Sequence, residues 1–417
     1  MKKDLTSNKK SKKRLRTLLL SIFSIVIILS SGVLFYFLYY LPRQNIAHFT
    51  EIQTITLDGG YNLADSAVGI VFDEESDILF VTGFITTPGE GMNIWIGKYQ
   101  SDLNLLVNTT FNGEGNNDDM GYTMVFDGNY LFIVGYVSEV GEDHNIWLAK
   151  YDTNLNLQKY ITINGSGNST DDGYGILLDS QNNLFIAGTV TSKDFGYDVY
   201  LAKYNKELVL QKEIIINGPA NNTDKGRFLA EDEDGYLYVS GSMSQVGSNY
   251  DIWLGKFDKE LNYLDHTIIA GPTTGEDKGY GLVLDETNRL FVVGTMTESG
   301  QGYNLWLGEF DNGLNLLNNK TVDDPISGED VGYSIMLEKD YFYLMGVFSE
   351  EVGNQNILMA KYSKSLELVS QITITSAGNN YDSGYGIIKG KENSIFVSGF
   401  ITEVLTGSDI WLGYFEI

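Results

Sequence analysis

The sequence predicts an all-β fold, a seven-bladed β-propeller of four-stranded blades closed by the N-terminal strand and preceded by one transmembrane helix. Three observations lead there. A seven-residue motif, "DIWLGKF" at 251–257, also appears as "NIWIGKY" at 93, "NIWLAKY" at 145, "DVYLAKY" at 198, "NLWLGEF" at 304, "NILMAKY" at 356 and "DIWLGYF" at 409, always 52 or 53 positions on. Each period holds four short runs rich in Tyr, Ile, Val and Leu with no helical spacing between them. The last period lacks its fourth run, and a matching run stands near the other end of the chain.

The chain opens with a basic tail, residues 1–16, ending in "KKSKKRLR". Residues 17–41 read as a transmembrane signal-anchor helix, because 24 consecutive residues from Leu18 to Leu41 carry no charge. As a helix they span roughly 36 Å, enough for a hydrocarbon core of about 30 Å. Tyr39 and Tyr40 sit where an interfacial aromatic belt belongs. A cleaved signal peptide is the competing reading; its apolar region is normally shorter and ends in small residues, which "FYFLYYLP" does not supply. The basic tail then belongs in the cytoplasm and everything after a tether at 42–50 outside the cell, in a single-pass arrangement.

From residue 51 onward the repeat takes over. In 173–216, "GYGILLD" and "LFIAGTVT" flank the polar turn "SQNN" and read as a hairpin of strands a and b. "DVYLAKY" is strand c and "LQKEIII" strand d. Turns of two to five residues are expected at a–b and c–d, and longer loops of about six to nine residues at b–c and d–a. Both faces of strand c are apolar, as in a sheet sandwiched between neighbouring sheets. Sheets of this size repeated about an axis are propeller blades, and seven copies give seven blades. The fourth strand of the last blade is supplied by "EIQTITLDG" at 51–59, which leaves no free edge in the ring.

"GSGNSTDDGYGILLDSQNNLFIAGT" (165–189) followed by "DVYLAKYN" resembles the bacterial and archaeal seven-bladed β-propeller repeat family, often abbreviated SBBP. The resemblance covers about 50–417. It implies a surface or secreted propeller and brings no catalytic set. The first unit departs from it with Ala67 and Val68 in place of Gly-Tyr, and the fourth with Arg227 in place of Tyr.

Composition limits the function. Residues 43–417 hold 20 Lys or Arg against 54 Asp or Glu, so the body repels phosphate backbones and nucleic acid is not an expected partner. There is no cysteine, and His48, His144 and His266 are scattered, so no cofactor is expected and no metal cluster has support. No unlike pair of groups stands out of the repeat as nucleophile and base, so catalysis is not expected.

Five sets of residues are candidates for structure or function. Asp65, Asp119, Asp171, Asp224, Asp277, Asp330 and Asp382 each enter strand a after a Gly- and Asn-rich loop. They read as turn-fixing acceptors, with a ring of cation-binding carboxylates as the alternative. Trp95, Trp147, Trp253, Trp306 and Trp411 share one position of strand c and read as core, packing over the repeated strand-b glycines Gly83, Gly135, Gly188, Gly241, Gly294, Gly346 and Gly399. Tyr122, Tyr174, Tyr280, Tyr333 and Tyr385 begin strand a, which lines the channel of a propeller, and Arg227 is the odd member of that ring. These six form the candidate ligand face. Asn108, Asn164, Asn168, Asn221 and Asn319 head N-x-[ST] sequons.

The expected role is a membrane-anchored binding or interaction module at the cell surface, engaging a protein or glycan through the face that carries the b–c and d–a loops. A carbohydrate-active protein using the channel mouth and a structural envelope component are the alternatives. The tether joins strand d on the opposite face, so the long-loop face is expected to point away from the bilayer.

Overall fold

Seven four-stranded antiparallel sheets follow one another along the chain. The computed structural model describes residues 49–417 except 142, 194–195, 248, 299–301, 323–327, 352–353, 377–380 and 404–406. The expected basic tail, membrane helix and all but the end of the tether lie outside the described residues.

Blade 1 is built from Ser66–Asp73, Ile78–Thr87, Gly91–Gln100 and Leu105–Phe111, hydrogen-bonded in that order. Blade 4 repeats the pattern with Lys225–Glu231, Leu237–Ser244, Tyr250–Phe257 and Tyr263–Ile269. Blade 7 takes strands a to c from Ser383–Lys389, Ser394–Glu403 and Gly407–Glu416, and its outer strand is Thr50–Leu57. The closure expected from the missing run is therefore present, with Ile55 opposite Leu412 and Leu57 opposite Ile410. Phe49, just ahead of that strand, already packs edge-on against Tyr343 of blade 6 at 6.1 Å.

There is no single core. Seven apolar clusters each join one blade to the next: Phe132, Val134, Ile146 and Leu148 of blade 2 meet Ile186, Tyr200 and Ala202 of blade 3, and Leu79 and Val81 of blade 1 meet Ile410 and Leu412 of blade 7. That is why both faces of strand c are apolar, each lying in a different cluster. The lysine of the repeated motif ties blades on the turn face: Lys98, Lys203 and Lys256 donate to the carbonyls of Thr153 (2.8 Å), Lys259 (2.9 Å) and Asn312 (2.7 Å) in the next blade.

Two expectations are corrected. The d–a connection is eight residues in every blade, but the b–c connection is only two to five. Polar segments such as 86–93 continue the ladder, with Thr87 pairing Gly91, so b–c is a protruding hairpin tip rather than a long loop. The backbone reverses there through glycines at positive φ, Gly89 and Gly91 in blade 1. The tryptophans are core as expected, 0–3% exposed, and face their strand-b glycines in register, as Trp253 faces Gly241. They do not explain those glycines. Three of the rings instead cover the glycine two positions on in their own strand: a β-carbon on Gly97, Gly255 or Gly308 would come within 2.4 Å of the neighbouring tryptophan ring.

The strand-b glycine answers to strand a. A β-carbon there would stand 1.9–2.2 Å from the carbonyl oxygen of the first residue of strand a in all seven blades. With that space open, strand a folds over strand b and its register slips immediately afterwards, between Gly121 and Thr123, Gly173 and Gly175, Gly226 and Phe228, Gly279 and Leu282, Gly332 and Ser334, and Gly384 and Gly386. Such a β-bulge leaves an unpaired residue whose side chain is re-aimed.

Candidate functional site in the central channel

The residues skipped by these bulges are the candidate ligand face. Tyr122, Tyr174, Arg227, Tyr280, Tyr333 and Tyr385 all line one central cavity of about 580 Å³, with Val68 at the seventh position. They touch in sequence around the channel. Tyr122 and Tyr174 have centroids 5.0 Å apart, the Arg227 guanidinium lies 4.8 Å from Tyr174 and 4.5 Å from Tyr280, and Tyr280–Tyr333 and Tyr333–Tyr385 follow at 5.1 and 5.0 Å. Burial holds the hydroxyls of Tyr122, Tyr174 and Tyr333 well above the ordinary tyrosine range, so these three stay neutral.

Arg227 is sandwiched between two π-faces and forms no ion pair among the described residues; its buried Nε has no hydrogen-bond partner there. It also forms part of a second cavity of about 390 Å³. Thr170 and Thr223 of the d–a loops and Tyr197 and Tyr250 at the start of strand c line that cavity, so it opens on the loop face.

Four further charged residues appear there that the sequence does not mark by repetition: Glu276 of a d–a loop, and Asp172, Lys225 and Lys278, the first residues of strand a in blades 3, 4 and 5. The same position is Ser66, Met120, Val331 and Ser383 elsewhere. The signal was available in the variable residue between the repeated Asp and the following small residue. It was overlooked because a repeat draws attention to what stays constant.

These groups form a connected polar patch. Tyr174 donates to Asp172 (2.8 Å) and accepts from Lys225 (3.0 Å). His144 Nδ1 stands 3.4 Å from Asp172 and its ring stacks on Tyr136 at 3.9 Å. Lys278 pairs with Glu276 at 2.5 Å, and Tyr303 donates to the same carboxylate at 2.9 Å. Burial works to raise the Glu276 pKa, but these two bonds outweigh it and hold it below the ordinary value. Burial, and then the charge of Arg227, push the Lys225 ammonium down to about 8. The cavity thus gathers three cationic side chains and two carboxylates in a body that is otherwise strongly acidic.

The seven aspartates are elsewhere and differently occupied. All are buried, 0–1% exposed. Asp171 accepts from the amides of Gly165 and Thr191, both at 2.5 Å, and Asp224 from Gly218 (2.5 Å) and Ser244 (2.8 Å). Asp65, Asp119, Asp277 and Asp382 repeat the pair of bonds, and Asp330 accepts from Ser349 (2.9 Å). Six of them staple the start of the d–a loop to the end of strand b, a structural task, and Asp330 makes the strand-b bond. The oxygens of Asp58, Asp65 and Asp409 lie within 4.8 Å of one another, but Asp65 is already committed to two amides. The five sequon asparagines are all exposed, Asn108 and Asn319 on outer strands and Asn164, Asn168 and Asn221 in d–a loops.

The chain matches no protein-family model and no curated protein. Solved structures do resemble it. Drosophila Plexin A, solved in complex with Semaphorin 1b, aligns at 8% identity over 89% of this chain and 88% of that one, with a TM-score of 0.52. A protein of unknown function from Dyadobacter fermentans aligns at 10% identity over 89% and 100%, TM-score 0.53. A PL25 polysaccharide lyase, an ulvan lyase bound to a GlcA–Rha3S oligosaccharide, aligns at 10% identity over 86% and 95%, TM-score 0.55. At such identities the likeness is one of fold, and it agrees with the seven sheets and their circular closure: the chain is a seven-bladed β-propeller.

Proposed function

We propose that the protein is a membrane-anchored binding module at the cell surface, which takes its ligand at the loop-face mouth of the propeller channel and does not catalyse a reaction. The observation that carries this reading is the broken symmetry of the channel. Six of seven bulged positions are aromatic or aliphatic, and the seventh is an arginine with Lys225 and Lys278 beside it. A repeat under purely structural demands has no reason to place an unpaired cation among tyrosines, where desolvation works against it. Polar groups that cost stability on a rigid scaffold are characteristic of sites that bind.

The anchor rests on the 24 uncharged residues from Leu18 to Leu41 and the basic tail ahead of them. The resemblance of 165–189 to the SBBP repeats supports membership of that family and an extracellular location. Among fold relatives, Plexin A was solved in complex with Semaphorin 1b and a polysaccharide lyase was solved bound to a sugar, so the propeller itself does not choose between partner classes. The tyrosine faces in the channel favour a carbohydrate-active protein as the second reading, because aromatic rings stack on sugars; a glycan array with the full chain separates the two.

The absence of cysteine makes the topology directly testable. Val140→Cys and Val246→Cys place single thiols on exposed b–c tips, 77% and 79% accessible, and Ser7→Cys places one in the basic tail. A membrane-impermeant maleimide should label the first two in intact cells and the third only after permeabilisation. The opposite pattern overturns the orientation, and labelling of all three without a membrane-bound fraction overturns the anchor.

A further inference from the structure

We propose that the channel mouth at blades 3 to 5 is an anion site for a small ligand bearing a single carboxylate beside a ring whose face can stack on tyrosine, either an aromatic acid or a uronic sugar. The inference rests on the reading of the channel as the binding site and names the chemistry it selects.

Four observations converge. Arg227 belongs to both cavities, so whatever fills either one meets its guanidinium. The Tyr174 and Tyr280 faces cover the guanidinium from both sides at 4.8 and 4.5 Å, which leaves its N–H edges as the only free donors. Those edges form a planar fork that matches the two oxygens of a carboxylate. The buried Nε makes no hydrogen bond to the described residues and is open to a ligand acceptor.

Charge sets the valence. Lys225, Arg227 and Lys278 line the smaller cavity with Asp172 and Glu276, a formal excess of one positive charge, and among the described residues Arg227 is the one charged group that lines the larger cavity. One negative charge completes either cavity. A dianion such as a phosphate monoester would bring excess charge against two carboxylates already present. Lys278 is committed to Glu276 at 2.5 Å, whereas Lys225 has only a neutral hydroxyl, that of Tyr174, at 3.0 Å. Lys225 is therefore the second donor for the incoming carboxylate.

The ring follows from the rest of the lining. Around Arg227 the larger cavity is walled by tyrosines and by Phe84, Phe228 and Phe400. Its volume of about 580 Å³ lies within the usual range for small-molecule sites. A carboxylate on the fork would direct the ring attached to it onto these faces.

The test is calorimetric titration of the full chain in detergent with benzoate and with glucuronate, each against its neutral counterpart, benzyl alcohol and glucose. At least one acid should bind, and its neutral counterpart should bind at least about tenfold more weakly, the scale of one charge-assisted bond. Arg227→Tyr installs the residue that five other blades carry, so it preserves the fold, which its unfolding curve verifies; it should weaken the acid by about tenfold or more. Arg227→Lys keeps the charge without the fork and should fall between. Binding of benzoate alone assigns an aromatic acid, and of glucuronate alone a uronic sugar. If neither acid binds, if the neutral compounds bind as well, or if Arg227→Tyr binds like the parent, the proposal is wrong. The maleimide labelling is independent of this titration, so failure here with tips still facing outward removes the ligand class and leaves the surface module standing.

Discussion

The carbonyl oxygen of Lys225 lies 1.9 Å from the point where a β-carbon on Gly241 would stand. The obstacle is backbone, and it cannot rotate away as a side chain can. Gly241→Ala must therefore push strand a off strand b and undo the bulge that aims Arg227 into the channel. The expected cost is about 3 kcal/mol, the upper range for overpacking, or a melting temperature lower by roughly 5 °C or more. Gly313→Ala, where the nearest atoms are side-chain ends at 3.3 Å, is the control and should stay within about 0.5 kcal/mol. Equal melting temperatures for the two variants would show that the bulge does not depend on the glycine.

Arg227→Tyr should make the protein more stable while it loses the anion site. It removes a cation that has no acid partner among the described residues and restores the uninterrupted tyrosine ring. Replacing buried ionic groups by well-packed residues of similar volume is often neutral or stabilising by about 1–4 kcal/mol. Thermal unfolding of variant and parent decides this: a lower melting temperature in the variant means that the two cation–π contacts outweigh desolvation.

Stability should peak on the acid side of neutrality. Burial pushes Asp65, Asp171 and Asp277 up to about 6, against the lowering effect of their backbone amide donors. Folded protein holds these protons more tightly than unfolded chain, so this contribution is complete below the unfolded value near 4 and is lost as pH rises through 6. The side-chain amides of Asn156 and Asn315 lower Asp152 and Asp311, whose contributions disappear as pH falls below the ordinary value. Melting temperature should therefore be highest between about pH 4 and 6. A steady rise from pH 5 to 8 would show that the amide bonds, and not burial, govern the buried aspartates.

Deletion of Thr50–Leu57 should leave blade 7 with three strands and the edge of Gly407–Glu416 unpaired. Loss of Ile55 and Leu57 also thins the cluster shared by blades 7 and 1. A lower melting temperature and concentration-dependent association in light scattering are expected. A monomer that melts with the parent would mean the closing strand is dispensable.

What could be read from the sequence was what the period repeats. The strands, the number of blades, the closing strand, the buried tryptophans and the ring around Arg227 all recur at fixed phase. The bulge was not legible, because it arises from a carbonyl folding over a glycine in the neighbouring strand. Asp172, Lys225 and Lys278 were hidden for the opposite reason, since they occupy a position that the repeat leaves free. The c–d turns concealed a further device. Leu103, Leu155, Leu208, Leu261, Leu314 and Leu366 are buried with φ between 53° and 63°. A leucine in that conformation is disfavoured locally, and only the burial of its side chain between blades compensates, which no local propensity reveals.

The pairing of Ile55 with Leu412 joins the first part of the ring to be synthesised to the last. Six blades are assembled from neighbouring stretches of chain and can form in the order in which they leave the ribosome. The seventh cannot, because its outer strand waits through more than three hundred residues for a partner. A chain that stops early therefore retains an unsatisfied strand at one end and an open sheet edge at the other, both of which present unpaired backbone groups to quality-control machinery. Only a chain that has reached Gly407–Glu416 hides both, so closure of the ring reports that its last strand has been made.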